Sequence, residues 1–290
     1  MGSFSGSDLQ SLSRYSHNFL GVDFHIHSNA SDGMLQPKEV VKLAKENKIV
    51  ALSLTDHDTV AGIKDAKDEA NKSDILLVNG IEVSTSYNGK IFHLLGHFID
   101  PDSNQIRSLV ERYAVSRKVR ISEMIDRLIE LGIRVDKDEF DKTYEKVASI
   151  TRGQLSYYLL TKGLVQSSHE IFSKYIGEGC PAYVELDCIA SEKAIEMIIE
   201  SGGVVTLAHP NLSESDDCIP NFVDAGLSGI ETDHPSQSKA DRIHYSRLAE
   251  RYSLLEMGGS DCHGDRLKGI RIGSHLQRVG LISELLHRCH

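Results

Sequence analysis

The chain has 290 residues, of which 40% are hydrophobic and 26% are charged, and its formal net charge is −10 at pH 7. This length predicts one large domain, or a domain that carries a sizeable insertion, and the composition is typical of a globular protein. The acidic balance argues against a surface that coats long duplex nucleic acid, and no apolar run is long enough to predict a membrane span.

The first third of the chain alternates between strand and helix patterns. Residues 1–20 are serine-rich and are expected to form a lead-in, not necessarily ordered, without the features of a secretory signal. The predicted elements that follow are strand 22–27, helix 36–48, strand 49–54, helix 59–71, and strands 75–78, 80–86 and 90–97. This alternation predicts an α/β domain built on a parallel sheet.

The pattern changes after Asp100-Pro101. Residues 105–174 are mostly helical in pattern and charged, with Ile121, Ile125, Leu128 and Leu131 at helical spacing. We interpret residues 104–185 as an inserted helical subdomain, although these helices could also belong to the wall of the main domain. Residues 21–103 and 186–290 are then the two parts of that main domain.

The last part of the chain returns to the earlier alternation. Its predicted elements are a helix within 185–203, strand 203–208, helix 220–225, strand 229–233, helix 238–252 and strand 254–258. The five cysteines contain no CxxC pair and are interpreted as reduced thiols, which favours the cytoplasm.

Candidate metal ligands follow one predicted strand after another. They are His25, His27, Asp32, His57, Glu82, His93, His209, Asp261 and His263. Side chains two residues apart share one face of a strand, so His25 and His27 can reach one ion. Because α/β barrels form their active sites at the carboxyl ends of their strands, this pattern predicts one shared metal site.

Each ligand also has an ordinary structural interpretation. The His25–His27 pair would fit the solvated face of an edge strand, His57 could neighbour a helix cap, and His93 could be a buried core histidine. Glu82 interrupts an apolar strand, where an unpaired carboxylate is costly to bury, and this favours a bound cation. His97 shares a face with His93 and could support the ligands or be an alternative ligand.

The motifs that contain these residues resemble those of the PHP (polymerase and histidinol phosphatase) metal-dependent phosphoesterases. They are His25-Ile-His27, Ser31-Asp-Gly33, Thr55-Asp-His-Asp58, Gly80-Ile-Glu-Val83, His93, Ala208-His-Pro210 and Ser260-Asp-Cys-His263. They occur in family order over residues 22–275. The stretches 150–152 and 175–184 are similar to the stand-alone branch that acts on nucleotides and short oligonucleotides.

The resemblance implies a distorted (β/α)7 barrel with three divalent metal ions. It implies a first ion on His25, His27, Glu82 and Asp261, a second on Glu82, His93 and His209, and a third on Asp32, His57 and His263. Nitrogen and oxygen ligands suit Mn²⁺, Fe²⁺ or Zn²⁺ without selecting among them.

The chemistry that this arrangement implies is hydrolysis of a phosphate ester by a hydroxide that bridges two ions, with Glu82, Asp261 and His263 as the catalytic candidates. Arg152 and His234 are the candidates for binding the substrate phosphate, and a solvent-exposed helix start is the alternative interpretation of Arg152.

The sequence departs from the family pattern near the predicted phosphate site. Gly153-Gln154 follows the arginine where family members often have Pro-His, and Gln237 replaces a common histidine. These departures leave the details of substrate binding open. The basic run of Arg117, Lys118 and Arg120 could reach substrate or form a solvated helix face.

Three functions are consistent with these residues. The first is removal of a phosphate from a nucleotide-like molecule, for example the 3′-phosphate of a nucleoside 3′,5′-bisphosphate. The second is 5′–3′ exonuclease action on short RNA or DNA, and the third is a catalytically silent, metal-binding regulatory module. An amidohydrolase would be expected to carry a metal-bridging lysine at a strand end, and none is suitably placed. The oligomeric state is left open.

Overall fold

The computed structural model describes residues 21–213, 216–264 and 270–289, so the lead-in predicted for residues 1–20 lies outside the described residues. The chain divides into two compact units. The first unit comprises Met1–Val110 and Cys188–His290, and the second comprises Glu111–Asp187. The boundaries at 104 and 185 remain our proposal for the extent of the inserted subdomain.

The strands belong to the first unit and form one sheet. They are β1 Gly21–Ile26, β2 Ile49–Leu54, β3 Leu76–Tyr87, β4 Lys90–His97, β5 Ile189–Ala190, β6 Val204–Leu207, β7 Gly229–Asp233 and β8 Leu255–Gly258. Seven of them follow the order β1-β2-β3-β4-β6-β7-β8, and β5 pairs separately with β3.

The two ends of this seven-strand path meet. Ile26 forms a parallel bridge with Cys262, four residues past the end of β8. The amide of His27 donates to the Cys262 carbonyl at 3.1 Å, and the Asp261 amide donates to the His25 carbonyl at 2.7 Å. These pairings close the sheet into a barrel, as the predicted α/β barrel requires.

Strand β4 corrects the prediction of a purely parallel sheet. It pairs antiparallel with both β3 and β6. A two-residue turn, Asn88-Gly89, joins β3 to β4, and both residues have positive φ, 50° and 76°. So short a connection fits a hairpin and cannot make the crossover that parallel strands need. The strands predicted at 75–78 and 80–86 are in fact one continuous strand, β3.

The α-helices occur close to the predicted positions, except for the last one, which was not predicted. They are α1 Pro37–Glu46, α2 Ile63–Ser73, α3 Asn104–Glu130, α4 Lys137–Thr143, α5 Arg152–Thr161, α6 Ser168–Ile171, α7 Ser191–Glu200, α8 Ile219–Ala225, α9 Lys239–Tyr252 and α10 Leu281–Leu286. A π-helical turn, Phe172–Ile176, follows α6, and two 3₁₀ turns cover Pro210–Leu212 and Asp216–Cys218. No helix in the described ranges is both long and apolar enough to cross a membrane.

Local sequence explains how the first helices pack on the sheet. Helix α1 starts at Pro37, whose ring fits the first helical turn, and the Glu39 carboxylate accepts the Gln36 amide at 2.8 Å. Its apolar face, including Val40 and Ala44, belongs to the same buried cluster as Leu52 of β2. This packing fixes β1 and β2, which carry the first candidate ligands.

The second unit has a hydrophobic core of its own. Phe140 of α4 is fully buried, and its ring centroid lies 5.2 Å from that of Tyr158 in α5. Ile121, Ile125 and other apolar residues of α3 complete the cluster, as their helical spacing predicts. Leu131, however, lies beyond the end of α3 and is 45% exposed, so it does not extend this face.

Candidate metal centre

The predicted ligands come together in the first unit. Groups of side chains whose potential ligand atoms all lie within 4.8 Å of one another are His25/His27/Glu82/Asp261, His27/Asp32/His57/His263, His57/Glu82/His93 and His25/Glu231/His234. Five strands and the loops that follow them supply the predicted metal ligands in these groups; His209 is in none of the groups, although its Nε2 lies 3.0 Å from Glu82 Oε1. The common centre that the sequence pattern required is therefore present.

The first group has the spacing of a coordination polyhedron. Glu82 Oε2 lies 3.3 Å from His25 Nε2 and 3.1 Å from His27 Nε2, and Asp261 Oδ1 lies 3.4 Å and 3.0 Å from the same two nitrogens. For metal–ligand bonds of about 2.1 Å, neighbouring ligand atoms are about 3.0 Å apart in an octahedron and about 3.4 Å apart in a tetrahedron. The four separations fall in this interval.

These close approaches are not hydrogen bonds. His25 Nε2, both ring nitrogens of His27 and Glu82 Oε2 are buried without a hydrogen-bond partner. Buried polar atoms normally have partners, because leaving one unpaired costs about 1–3 kcal/mol. The atoms therefore point to a common position between them rather than at one another, which is the arrangement that a shared cation requires. The residues fit a divalent metal ion.

Glu82 lies at the centre of the whole arrangement. Its Oε1 is 2.8 Å from His93 Nδ1 and 3.0 Å from His209 Nε2, and its Oε2 is 3.0 Å from His57 Nδ1. Burial alone would raise the pKa of the Glu82 carboxyl, but the neighbouring histidines, led by His57, hold it well below its usual range. One carboxylate, in contact with histidines on both oxygens, can thus serve two metal positions.

The third predicted set also converges. Asp32 Oδ1 lies 3.1 Å from His263 Nε2, and Asp32 Oδ2 lies 3.9 Å from His57 Nε2. The rings of His27 and His263 stack with their centroids 4.2 Å apart. Burial opposes ionisation of Asp32, yet His263 and His57 hold its pKa well below its usual range.

The loop that carries Asp32 is held by Asp56. Its Oδ1 accepts the Ser28 amide at 2.8 Å and the Ser31 hydroxyl at 2.6 Å, and its Oδ2 accepts the Ser28 hydroxyl at 2.6 Å. Asp58 Oδ1 in turn accepts the Ser84 amide of β3 at 2.7 Å. The two aspartates that flank His57 therefore organise neighbouring backbone, while His57 itself contacts Glu82.

Backbone strain accompanies the ligands. His209 and Asp261 have positive φ values of 26° and 48°, in the region that side chains other than glycine rarely adopt. The Asp261 amide is held by the His25 carbonyl, and the His209 amide donates to Glu231 Oε2 at 2.7 Å. Such strain persists only where surrounding contacts enforce it, and it is typical of functional sites.

His234 lies in the site with its hydrogen-bonding direction defined. The Ser236 amide donates to His234 Nδ1 at 3.2 Å, so Nδ1 accepts and the ring proton of the neutral form is on Nε2. Nε2 lies 3.3 Å from Asp261 Oδ2 and has no hydrogen-bond partner. His263 has the opposite tautomer, because its Nδ1 lies 2.9 Å from the Asp261 carbonyl, which can only accept.

The structure adds one residue that the sequence interpretation missed. Glu231 is fully buried in β7, and its Oε1 lies 2.9 Å from His25 Nδ1. The argument applied to Glu82, that a carboxylate inside a strand is costly to bury unpaired, could have identified it.

His97 is not in any of the ligand groups that the described residues form. Its Nδ1 lies 3.1 Å from the Ser53 hydroxyl, and its ring meets Phe24 edge-on. Burial lowers the pKa of His97 to about 3, so this histidine is neutral.

Arg152 and the predicted basic run belong to the second unit. Arg152 Nη1 donates to the Ile176 carbonyl at 3.4 Å, and the guanidinium lies 5.7 Å from the ring centroid of Tyr183. Arg152 is partly buried, and burial lowers the pKa of its guanidinium. Arg117 and Arg120 are buried, at 4% and 8% exposure, which contradicts a solvated helix face for both.

The barrel strands deliver buried histidines and carboxylates to a common centre, and comparisons with known proteins identify the chain as a metal-dependent phosphoester hydrolase. The family model of the PHP domain matches residues 23–186. The chain belongs to the PHP domain family.

Several characterised relatives span most of the chain. A 5′-3′ exoribonuclease of Haemophilus influenzae is 32% identical over 83% of this chain and 89% of its own. A 3′,5′-nucleoside bisphosphate phosphatase of Chromobacterium violaceum is 31% identical over 87% and 90% of the two chains. A phosphoribosyl 1,2-cyclic phosphate 1,2-diphosphodiesterase of Eggerthella lenta is 30% identical over 83% and 94%.

Solved structures show the same fold. A Bifidobacterium adolescentis protein, provisionally described as a metal-dependent phosphoesterase, matches with a TM-score of 0.86 at 26% identity and covers 93% of this chain and 96% of its own. A Chromobacterium violaceum protein described as an amidohydrolase, with bound sulfate and no metal, matches with a TM-score of 0.83 at 29% identity over 93% and 98% of the two chains.

Proposed function

We propose that this enzyme binds three divalent ions and uses them to hydrolyse a phosphate ester of a nucleotide-like substrate. The first ion would be held by His25, His27, Glu82 and Asp261, the second by Glu82, His93 and His209, and the third by Asp32, His57 and His263. The observation that carries the proposal is the position of Glu82, whose two oxygens contact histidines of neighbouring groups. Mn²⁺, Fe²⁺ and Zn²⁺ suit these nitrogen and oxygen ligands.

Bound divalent ions supply two things to such a reaction: they acidify the attacking water and neutralise the charge of the phosphate. The chain's own residues then orient the reacting groups. Asp261 and Glu82 are the proposed catalytic carboxylates, and His263 is positioned beside Asp261 through its backbone carbonyl.

His234 supports the phosphate-binding part of the proposal. Its Nε2–H has no hydrogen-bond partner, although it lies 3.3 Å from Asp261 Oδ2 in a buried position. A buried donor without an acceptor is costly, and a substrate phosphate oxygen would satisfy it. Arg152 stays the other proposed phosphate-binding residue, since a guanidinium makes bidentate contacts with phosphate.

The names of the relatives favour two reactions that share this chemistry. The nucleoside bisphosphate phosphatase supports removal of a 3′-phosphate from a nucleoside 3′,5′-bisphosphate, which is our first proposal. The exoribonuclease supports stepwise 5′–3′ trimming of short RNA or DNA, which is the second. These names give no support to a silent regulatory module. The cytoplasm remains the proposed compartment, because five cysteines without a CxxC pair suit reduced thiols.

The test combines metal analysis of the purified protein with a substrate screen. The purified enzyme would be loaded in turn with Mn²⁺, Fe²⁺ and Zn²⁺ and offered 5′-mononucleotides, 3′,5′-bisphosphates, cyclic phosphates and short oligonucleotides. Phosphate release from bisphosphates alone supports the first proposal, and progressive shortening of oligonucleotides supports the second. A metal-loaded protein that cleaves none of them would contradict both.

A further inference from the structure

Glu231 makes two contacts that the proposed metal chemistry does not assign. Its side chain is fully buried in β7. Oε1 lies 2.9 Å from His25 Nδ1, and Oε2 accepts the backbone amide of His209 at 2.7 Å. Both oxygens are therefore engaged by residues that are proposed ligands of different ions. Because both oxygens are occupied in this way, Glu231 is better suited to positioning the ligands than to binding an ion itself.

The contact with His25 determines which ring nitrogen can bind an ion. A carboxylate can only accept, so His25 Nδ1 must carry the proton that it shares with Glu231. In the neutral ring, Nε2 then has its lone pair free, and Nε2 is the atom that lies among Glu82 and Asp261. Metal-binding histidines commonly have their second nitrogen fixed by a carboxylate in this way.

The contact with His209 holds a strained turn. His209 lies two residues past the end of β6 and has a φ of 26°. Its amide points away from the strand ladder and donates to Glu231, and this bond stabilises the backbone conformation that brings Nε2 within 3.0 Å of Glu82 Oε1. Without this bond, a buried amide would be left without an acceptor.

We propose that Glu231 is the positioning residue of the metal centre, and that it aligns the ligands of two neighbouring ions at once. One oxygen fixes the tautomer of His25 for the first ion, and the other fixes the backbone turn that presents His209 to the second. The inference rests on the proposed function, since it concerns the ions proposed there.

Glu231→Gln tests the proposal with little change in shape. Glutamine has one acceptor oxygen for two donors. If the oxygen faces the His209 amide, the NH₂ group faces His25 Nδ1 and selects the tautomer with a protonated Nε2, which cannot bind metal. If the oxygen faces His25, the NH₂ group opposes the His209 amide. Either orientation should disturb an ion, and exchange between them should disturb both.

The measurement is Zn²⁺ binding to chelator-stripped protein, in competition with a chromophoric chelator. The binding step of the first ion, of the second, or of both should weaken by about 10–100-fold in Glu231→Gln, the usual effect of removing such a partner. The matched control is Glu256→Gln on the adjacent strand β8, whose carboxylate accepts the Thr232 hydroxyl at 3.2 Å and contacts no proposed ligand in the described contacts. Its Zn²⁺ affinity should stay at the wild-type value.

The possible outcomes separate the two proposals. If the wild-type protein takes up no Zn²⁺, the metal centre of the proposed function fails. If the wild type binds and Glu231→Gln binds equally well, only the positioning role is overturned. Complete loss of one equivalent, with the others unchanged, would show that Glu231 is a ligand and would also overturn it.

A second measurement needs no variant. In the Zn²⁺-loaded wild-type protein, two-bond ¹H–¹⁵N correlation spectra distinguish the tautomers of each histidine ring. We expect His25 to carry its proton on Nδ1 and His234 to carry its proton on Nε2. A proton on Nε2 of His25 would contradict the positioning role even if Glu231→Gln failed to fold.

Discussion

Gly259→Ala should inactivate the enzyme by displacing a ligand that it does not itself contact. A Cβ at this position would lie 2.4 Å from both the Cβ and the backbone nitrogen of His25, and 2.9 Å from its Cα. Normal contact between carbon atoms is about 3.5 Å, so the two segments must separate by about 1.1 Å. Gly259 has no left-handed φ, which means that the effect comes from the missing space.

The segment that carries Asp261 should move, rather than strand β1. Strand β1 is held by its pairing with β2, whereas Gly259 is two residues from the ligand. A shift of this size would widen the 3.0 Å separation between His27 Nε2 and Asp261 Oδ1 beyond the span of one ion. A misplacement of about 1 Å costs on the order of 100-fold in rate, or about 2.7 kcal/mol in the activation free energy.

The assay is kcat/KM for phosphate release, together with Zn²⁺ affinity and thermal unfolding. Overpacking should also lower the free energy of unfolding by about 1–3 kcal/mol. Gly280→Ala is the control, because φ there is −59° and the nearest atom to a new Cβ is the flexible tip of Arg278 at 3.3 Å. A Gly259→Ala enzyme with wild-type kcat/KM and metal uptake would refute the reasoning.

Three further results are expected. His25→Ala or Asp261→Ala should abolish phosphate release at saturating metal, whereas Cys262→Ala should retain most of it; equal losses in all three would point to general disruption. Chelator treatment should stop turnover reversibly and lower Tm by about 5–10 °C, since an ion at about 100 times its Kd stabilises the fold by about 2.7 kcal/mol. An unchanged Tm would argue against buried ions. Phe140→Ala should lower the free energy of unfolding, measured in urea, by about 3–5 kcal/mol, because it leaves a cavity in the core of the second unit. Leu160→Ala is the control: Leu160 is 36% exposed, so its replacement should change the free energy of unfolding far less. Similar values for the two variants would show that this core is loosely packed.

The clustering of the candidate ligands could be predicted because its signal is local. A histidine or carboxylate at the end of an apolar strand conflicts with ordinary burial, and the period of a strand places His25 and His27 on one face. Repeated over several strands, the same conflict predicted a common site. The helical spacing of Ile121 and Ile125 likewise predicted which face of α3 is buried.

Other features depend on contacts between distant segments. A carboxylate inside a strand could have marked Glu231 as a candidate, but its proposed positioning role follows from its distances to His25 and His209. The tautomers of His234 and His263 depend on which backbone groups their Nδ1 atoms meet. The antiparallel direction of β4, by contrast, could have been predicted from local sequence, because Asn88-Gly89 is a strong hairpin signal. The alternation of strands and helices around it favoured a parallel sheet instead.

The pairing that closes the barrel also has a consequence for biosynthesis. The Ser260 amide reaches Asp23 across a separation of 237 residues, so the seam joins two parts of the chain that leave the ribosome far apart in time. Folds rich in such long-range contacts fold slowly. Until residue 263 has emerged, a nascent chain lacks Asp261 of the first proposed set and His263 of the third, so capture of those two ions would be completed only late in synthesis. Cellular metal supply therefore acts on a chain whose synthesis is nearly complete.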